Sequence, residues 1–133
     1  MITKIAHIGI AVKDIKAASE IYKKILLSEP SEPELVAEQD VNVVKFTIGE
    51  SVIELLEGTS PESAISKFIE SRGEGIHHIS YESDSIAEEI KRLKKEGLKL
   101  IYEEPETGSG NSLITLLHPS NTGGVLTEIS QNK

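Results

Sequence analysis

One short pattern occurs twice in this chain, and the repeat limits what it can fold into. Near the start, Ile5-Ala6-His7-Ile8-Gly9-Ile10 places an Ile two residues before a His and another directly after it. Past the middle, Gly75-Ile76-His77-His78-Ile79-Ser80-Tyr81 does the same around His78. Each stretch is followed by an Asp (Asp14, Asp84), a helix-like apolar spacing, and strand-like runs ending near a Glu with apolar neighbours. That Glu is Glu54 in the first copy and Glu128 in the second. A period of roughly 70 residues is longer than solenoid repeats show, so the pattern predicts two copies of one module. Residues 1–72 form the first and 73–133 the second, within a single domain.

The predicted elements run in the same order in both copies. Ile2 to Val12 alternates as a strand, with His7 on the face opposite Ile8 and Ile10. Asp14 is placed to cap a helix whose apolar positions are Ile15, Ala18, Ile21, Tyr22 and Ile25. Two prolines between Ser28 and Glu34 end it. Val36 to Ile48 reads as one or two strands, and Gly49-Glu50 as a hairpin turn into Ser51 to Glu57. Thr59 with Glu62 fits a capping box for a helix carrying Ile65, Phe68 and Ile69. Ser71 to Gly75 is the junction between modules. Ile76 to Tyr81 is then a strand, and Ser83 or Asp84 caps a helix with Ile86, Ile90 and Leu93, closed by Gly97. Strands follow at Leu98 to Tyr102, Leu113 to Leu117 and Gly124 to Ser130, with a Gly-rich connection over Thr107 to Ser112. The order βαβββ, twice over, predicts an α+β fold with its helices on one side of a mixed sheet.

Composition removes whole classes of function. A net charge of −8 leaves little to neutralise phosphates, and 4% aromatic content gives few stacking platforms, so nucleic acid is not expected as a partner. No apolar run approaches the roughly 20 residues of a membrane span. Cys is absent, so there is no disulfide framework and no thiolate metal site. Met1-Ile2-Thr3-Lys4 enters a strand without an apolar leader, and a cytoplasmic location is the default expectation.

Period-two geometry selects His78, rather than His77, as the partner of His7. A single strand His is usually a hydrogen-bonded structural residue, and a single strand Glu usually faces solvent. Both recurring in register alter that balance. A carboxylate inside an apolar strand is unfavourable to bury unless it is paired or bound to a cation. Two imidazoles and two carboxylates suit Zn²⁺, Co²⁺, Mn²⁺, Fe²⁺ or Ni²⁺, and would leave two positions open on an octahedral ion. His118, before Pro119, reads first as a turn residue.

The two His strands with Asp14 and Asp84 resemble the paired signatures of the vicinal oxygen chelate, glyoxalase-like, superfamily. Within it, further stretches are similar to the methylmalonyl-CoA epimerases. These are Glu38-Gln39-Asp40-Val41, Ile53 to Glu57, Gly75 to Ile79, Glu104-Pro105 with Gly108-Ser109-Gly110, Leu117-His118-Pro119, and Gly123 to Glu128. The resemblance implies two βαβββ modules forming a cupped sheet around a divalent metal held by His7, Glu54, His78 and Glu128. It also implies methylmalonyl-CoA as substrate, a homodimer, and acid/base carboxylates at Glu38 and Glu128. Where the family usually has Gly after the Glu-Gln pair, this chain has Asp40, which bears on the local turn.

These residues suit proton transfer at a carbon between a thioester and a carboxylate. Such a proton needs a Lewis acid to stabilise the enolate, a base on one face and an acid on the other. The (2R) and (2S) epimers of methylmalonyl-CoA would interconvert in this way. A glyoxalase-like isomerase or lyase would use the same four ligands, and a ring-cleaving dioxygenase would need two His and one carboxylate with room for O₂. A metal-free small-molecule binding protein is the reading from another class.

Overall fold

In a computed structural model that describes residues 1–132, eight strands form one hydrogen-bonded sheet. They are β1 (Ile2–Ala11), β2 (Glu34–Val36), β3 (Val41–Ile48), β4 (Ser51–Gly58), β5 (Gly75–Ser83), β6 (Glu106–Thr107), β7 (Leu113–Leu117) and β8 (Leu126–Gln131). Their order across the sheet is β2-β3-β4-β1-β5-β8-β7-β6. The sheet is mixed: β5 pairs parallel to β8, whereas β2–β3, β3–β4, β6–β7 and β7–β8 are antiparallel. The helices are α1 (Ile15–Leu26), α2 (Ala64–Arg72) and α3 (Ile86–Lys95). The βαβββ order occurs twice, with α2 between the copies. No helix among the described residues is long and apolar enough to cross a membrane.

The chain divides into two compact units. One is Ile8–His77; the other joins Met1–His7 to the chain from His78 onward.

In the Ile8–His77 unit, β3 and β4 form a hairpin closed by Gly49-Glu50, with Ile48 opposite Ser51. Gly49 has φ +59°, at the position where a two-residue hairpin turn takes glycine. Alternation then divides the apolar residues. Val44, Phe46 and Leu55 join Ile15, Ala18, Tyr22 and Leu26 of α1. Val41, Val43 and Leu56 join Ile65, Phe68 and Ile69 of α2. Adjacent residues of one strand point to opposite faces, so α1 and α2 cover opposite faces of this hairpin. The expectation of helices on a single side fails here for that reason. The buried stripe of α1 ends on Leu26, and Ile21 and Ile25 are exposed; the helix carries more apolar residues than its packed face can use. Asp14 caps α1 as expected, accepting from the Lys16 and Ala17 N–H groups at 3.1 Å each.

α2 starts later than the capping box predicts. Ser63, not Thr59, is its N-cap, with its hydroxyl accepting from Ser66 N–H at 3.0 Å. The Thr59 N–H instead donates to the Asp40 carbonyl, which ties the end of β4 to the turn before β3.

In the other unit, Ile86, Ile90 and Leu93 of α3 pack with Leu117 and Ile129. Ser85 is the N-cap, rather than Ser83 or Asp84. The Ser83 hydroxyl accepts from Ser85 N–H, and Asp84 takes the Met1 ammonium at 2.8 Å. Glu89, buried on α3, is held below the ordinary carboxylate range; burial works against its charge, but the Met1 ammonium and Arg92 outweigh it. The C-terminal end of α3 follows expectation: Leu98 N–H donates to Leu93 O and Gly97 N–H to Lys94 O, with Gly97 at φ +83°. Leu98 to Tyr102 does not form a full strand. It touches β7 through one bridge, Leu100 opposite Leu117, and the paired strand is the short β6 beyond Pro105. On either side of that bridge the Ile101 N–H donates to the Leu116 carbonyl and the His118 N–H to the Lys99 carbonyl.

Gly58 marks the closest approach of β4 to α2. A Cβ there would collide with the Ser63 and Ser66 hydroxyls and lie 3.1 Å from Ser66 N. Gly58→Ala is expected to destabilise the protein by about 1–3 kcal/mol, read as a lower denaturant midpoint at unchanged m-value. An unchanged midpoint would show that the α2 entry has slack.

Candidate metal centre

Three of the residues expected at the centre lie together in the unit that contains both chain ends. His7 is on β1, His78 on β5 and Glu128 on β8. β8 lies next to β5, with Ser80 opposite Glu128. The same-face neighbours of Ser80 and Glu128 two residues earlier are therefore His78 and Leu126.

The two imidazoles meet edge to face, with Nε2 atoms 2.9 Å apart and ring planes at 85°. Glu128 is buried and reaches both: Oε2 is 3.2 Å from His7 Nε2, and Oε1 is 3.8 Å from His78 Nε2. Oε2 nonetheless makes no hydrogen bond of acceptable geometry. Leaving a buried acceptor unsatisfied costs roughly 1–3 kcal/mol, and more for a charged one. Burial disfavours the Glu128 anion. The two histidines and the Ser80 hydroxyl overcome that, and hold its carboxyl below the usual carboxylate range. Two imidazole nitrogens and a carboxylate oxygen, His78 and Glu128 buried and His7 half-buried, all pointing at one another, form a donor set suited to a divalent cation of the borderline class. The orphaned Oε2 is the atom such an ion would satisfy.

Glu54 is on β4 in the other unit, buried at 4% exposure and opposite Lys45 in register. Glu38 lies in a short 3₁₀ turn, Ala37–Gln39, between β2 and β3, and is exposed. Asp40 ends that turn with φ +51° and ψ +48°. Asp is among the few non-glycine residues that visit this left-handed region with tolerable strain, so the turn survives the replacement of Gly. His77 points away from His78 along its strand, and its ring meets Phe68 edge to face at 5.0 Å. His118 is the turn residue its setting suggests: Nδ1 accepts from Ser120 N–H at 3.0 Å.

Two buried hydroxyls were not assigned a role from sequence. Ser80 is 0% exposed and Ser130 is also buried, and their Oγ atoms are 3.2 Å apart. Each lies two residues after a site residue, on the same strand face as His78 and Glu128 respectively. A small polar residue continuing a ligand face was the available signal.

The chain is similar to known proteins over most of its length. Residues 6–115 match the family model of the Glyoxalase/Bleomycin resistance protein/Dioxygenase superfamily. The ethylmalonyl-CoA/methylmalonyl-CoA epimerase of Cereibacter sphaeroides is 35% identical over 133 residues, covering 98% of this chain and 99% of that protein. A hypothetical protein from Bacillus halodurans superimposes with a TM-score of 0.94 at 43% identity, covering 98% of this chain and 94% of that one. A variant of the Streptomyces coelicolor methylmalonyl-CoA epimerase, in complex with 2-nitronate-propionyl-CoA, superimposes with a TM-score of 0.95 at 36% identity. That match covers 99% of this chain and 96% of the other.

The lowered carboxyl of Glu128 links the site to stability. A group held below its unfolded value stabilises the fold above that value, and the contribution is lost as pH falls through the range between them. In metal-stripped protein, Glu128→Gln should therefore flatten the acid limb of stability against pH. Identical acid limbs in variant and parent would mean that the histidines do not support the anion.

Proposed function

Because the chain belongs to the Glyoxalase/Bleomycin resistance protein/Dioxygenase superfamily, we propose that it is a metal-dependent epimerase. It interconverts (2R)- and (2S)-methylmalonyl-CoA by moving the C2 proton. The observation that carries this reading is the convergent set of His7, His78 and Glu128, with Oε2 of the buried Glu128 unsatisfied, in a chain with epimerase relatives matched over nearly its full length.

His7, His78, Glu128 and Glu54 are assigned as ligands. In support, Glu54 is a carboxylate buried within an apolar strand. Glu54 also recurs at the place of Glu128 in the duplicated pattern. When bound, a divalent cation supplies Lewis acidity to the thioester and carboxylate oxygens flanking C2. The histidines act as neutral ligands, and the carboxylates offset the ion's charge.

Glu38 and Glu128 are assigned the proton transfers. Glu38 is exposed and is not a ligand in this assignment, so its carboxylate is open to an incoming substrate. Glu128 is held in the anionic form by its neighbours and is also engaged at the centre. Glu38 therefore abstracts the proton from one epimer, and Glu128 serves the opposite face of C2; the reverse reaction exchanges these roles.

The same reading takes modules 1–72 and 73–133 as halves of one domain, the enzyme as a homodimer, as the family resemblance implies, and its location as cytoplasmic. A monomer mass by sedimentation would remove the dimer from it.

The test is loss of the C2 proton of methylmalonyl-CoA in D₂O. Wild-type protein should wash it out, and a chelator should stop the exchange until metal is restored. Wash-out indifferent to chelator would overturn the metal role. Glu38→Gln should lower kcat by on the order of 10²–10⁴-fold with metal content unchanged. Turnover at the parent rate would remove Glu38 from the mechanism.

A further inference from the structure

Ser80 and Ser130 have no structural task that accounts for their burial. Neither caps a helix nor closes a turn. They lie on the β5–β8 face that carries His78 and Glu128, where an apolar residue would fill the same space without a polar group to satisfy. The Ser80 Oγ lies 3.2 Å from Ser130 Oγ. Ser80 is also directly opposite Glu128 in the parallel pairing, and its hydroxyl is among the groups that support the Glu128 anion.

We propose that Ser80, backed by Ser130, is a positioning residue that sets the orientation of the Glu128 carboxylate. In the structure the Ser80 hydroxyl donates to Ser130. A hydroxyl proton turns about its C–O bond, so beside an ionised carboxylate, which can only accept, Ser80 turns its proton to Glu128 and Ser130 donates to Ser80 in return. This two-hydroxyl chain restrains rotation of the carboxyl group and leaves Oε2 against His7, with no hydrogen-bond partner of its own. A carboxylate held in this way meets a cation without first losing its rotational freedom. Outer groups that orient a ligand commonly change metal affinity or activity by about 10–100-fold.

The assignment rests on the reading of this site as a metal centre, and the test separates the two. Co²⁺ is titrated into metal-stripped wild type, Ser80→Ala, Ser80→Thr and Ser130→Ala, followed by kcat and KM for methylmalonyl-CoA at saturating Co²⁺. Ser80→Ala should weaken Co²⁺ binding by about 10–100-fold and lower kcat with little change in KM. Ser130→Ala should lose less in the same direction, and Ser80→Thr, which keeps the hydroxyl, should restore most of the affinity. The melting temperature of the metal-stripped variants should stay near that of the parent.

Parent-like affinity and kcat in Ser80→Ala would overturn the proposal and leave the metal centre standing. So would equal losses in Ser80→Ala and Ser80→Thr with both folded, because the hydroxyl would then be irrelevant. If Ser80→Ala does not fold, Ser130→Ala decides, since it leaves Ser80 in place: parent-like Co²⁺ affinity there overturns the proposal. Wild-type protein that takes up no Co²⁺ would overturn the metal reading itself, and this proposal with it.

Discussion

The arrangement depends on a carboxylate buried against two imidazoles. Glu128 Oε2 is 3.2 Å from His7 Nε2 without a hydrogen bond, and the two imidazole Nε2 atoms are 2.9 Å apart. Left to itself, such a cluster is a poor way to stabilise a fold, because burial of a charge with an unsatisfied oxygen opposes folding. The remainder of this unit must offset it. Ile86, Ile90 and Leu93 pack on Leu117 and Ile129 across the other face of the same strands. Alternation along β8 therefore places a stabilising apolar residue, Ile129, between two polar ones, Glu128 and Ser130.

The donor set explains why a binding-only role fits less well than chemistry. A hydrophobic trap has no use for buried imidazoles and a carboxylate in mutual reach, and would gain stability from replacing them with apolar residues. A site that must polarise oxygens needs the opposite: donors already assembled, aimed and kept dry before substrate arrives. The Ser80–Ser130 pair extends that logic one layer outward, into positions where the fold alone would favour alanine or valine.

Much of this was legible in local pattern. Alternation separated His78 from His77, and the structure confirms the separation: one ring meets His7, the other Phe68. Asp14 caps α1, and Gly97 closes α3 with the two hydrogen bonds that its left-handed conformation permits. Local pattern misled where two residues competed for one task. Thr59, Ser83 and Asp84 are all good caps, yet Ser63 and Ser85 do the capping; the Ser83 hydroxyl is taken by the Ser85 N–H and the Asp84 carboxylate by the Met1 ammonium. Ile21 and Ile25 fit a helical stripe as well as Leu26 does, and only packing against Phe46 and Leu55 chose between them.

The chain by itself singled out its candidate site residues. Duplication singled out His7, Glu54, His78 and Glu128, and strand period decided the faces of the histidines, because both are properties of order along one backbone. Tertiary structure decided what those residues meet. The edge-to-face contact of the imidazoles, the orphaned oxygen of Glu128 and the hydroxyl pair behind it arise from the register between β5 and β8, whose paired residues lie about 50 positions apart in the chain. Register is set by the whole apolar pattern acting together, and no window of sequence contains it.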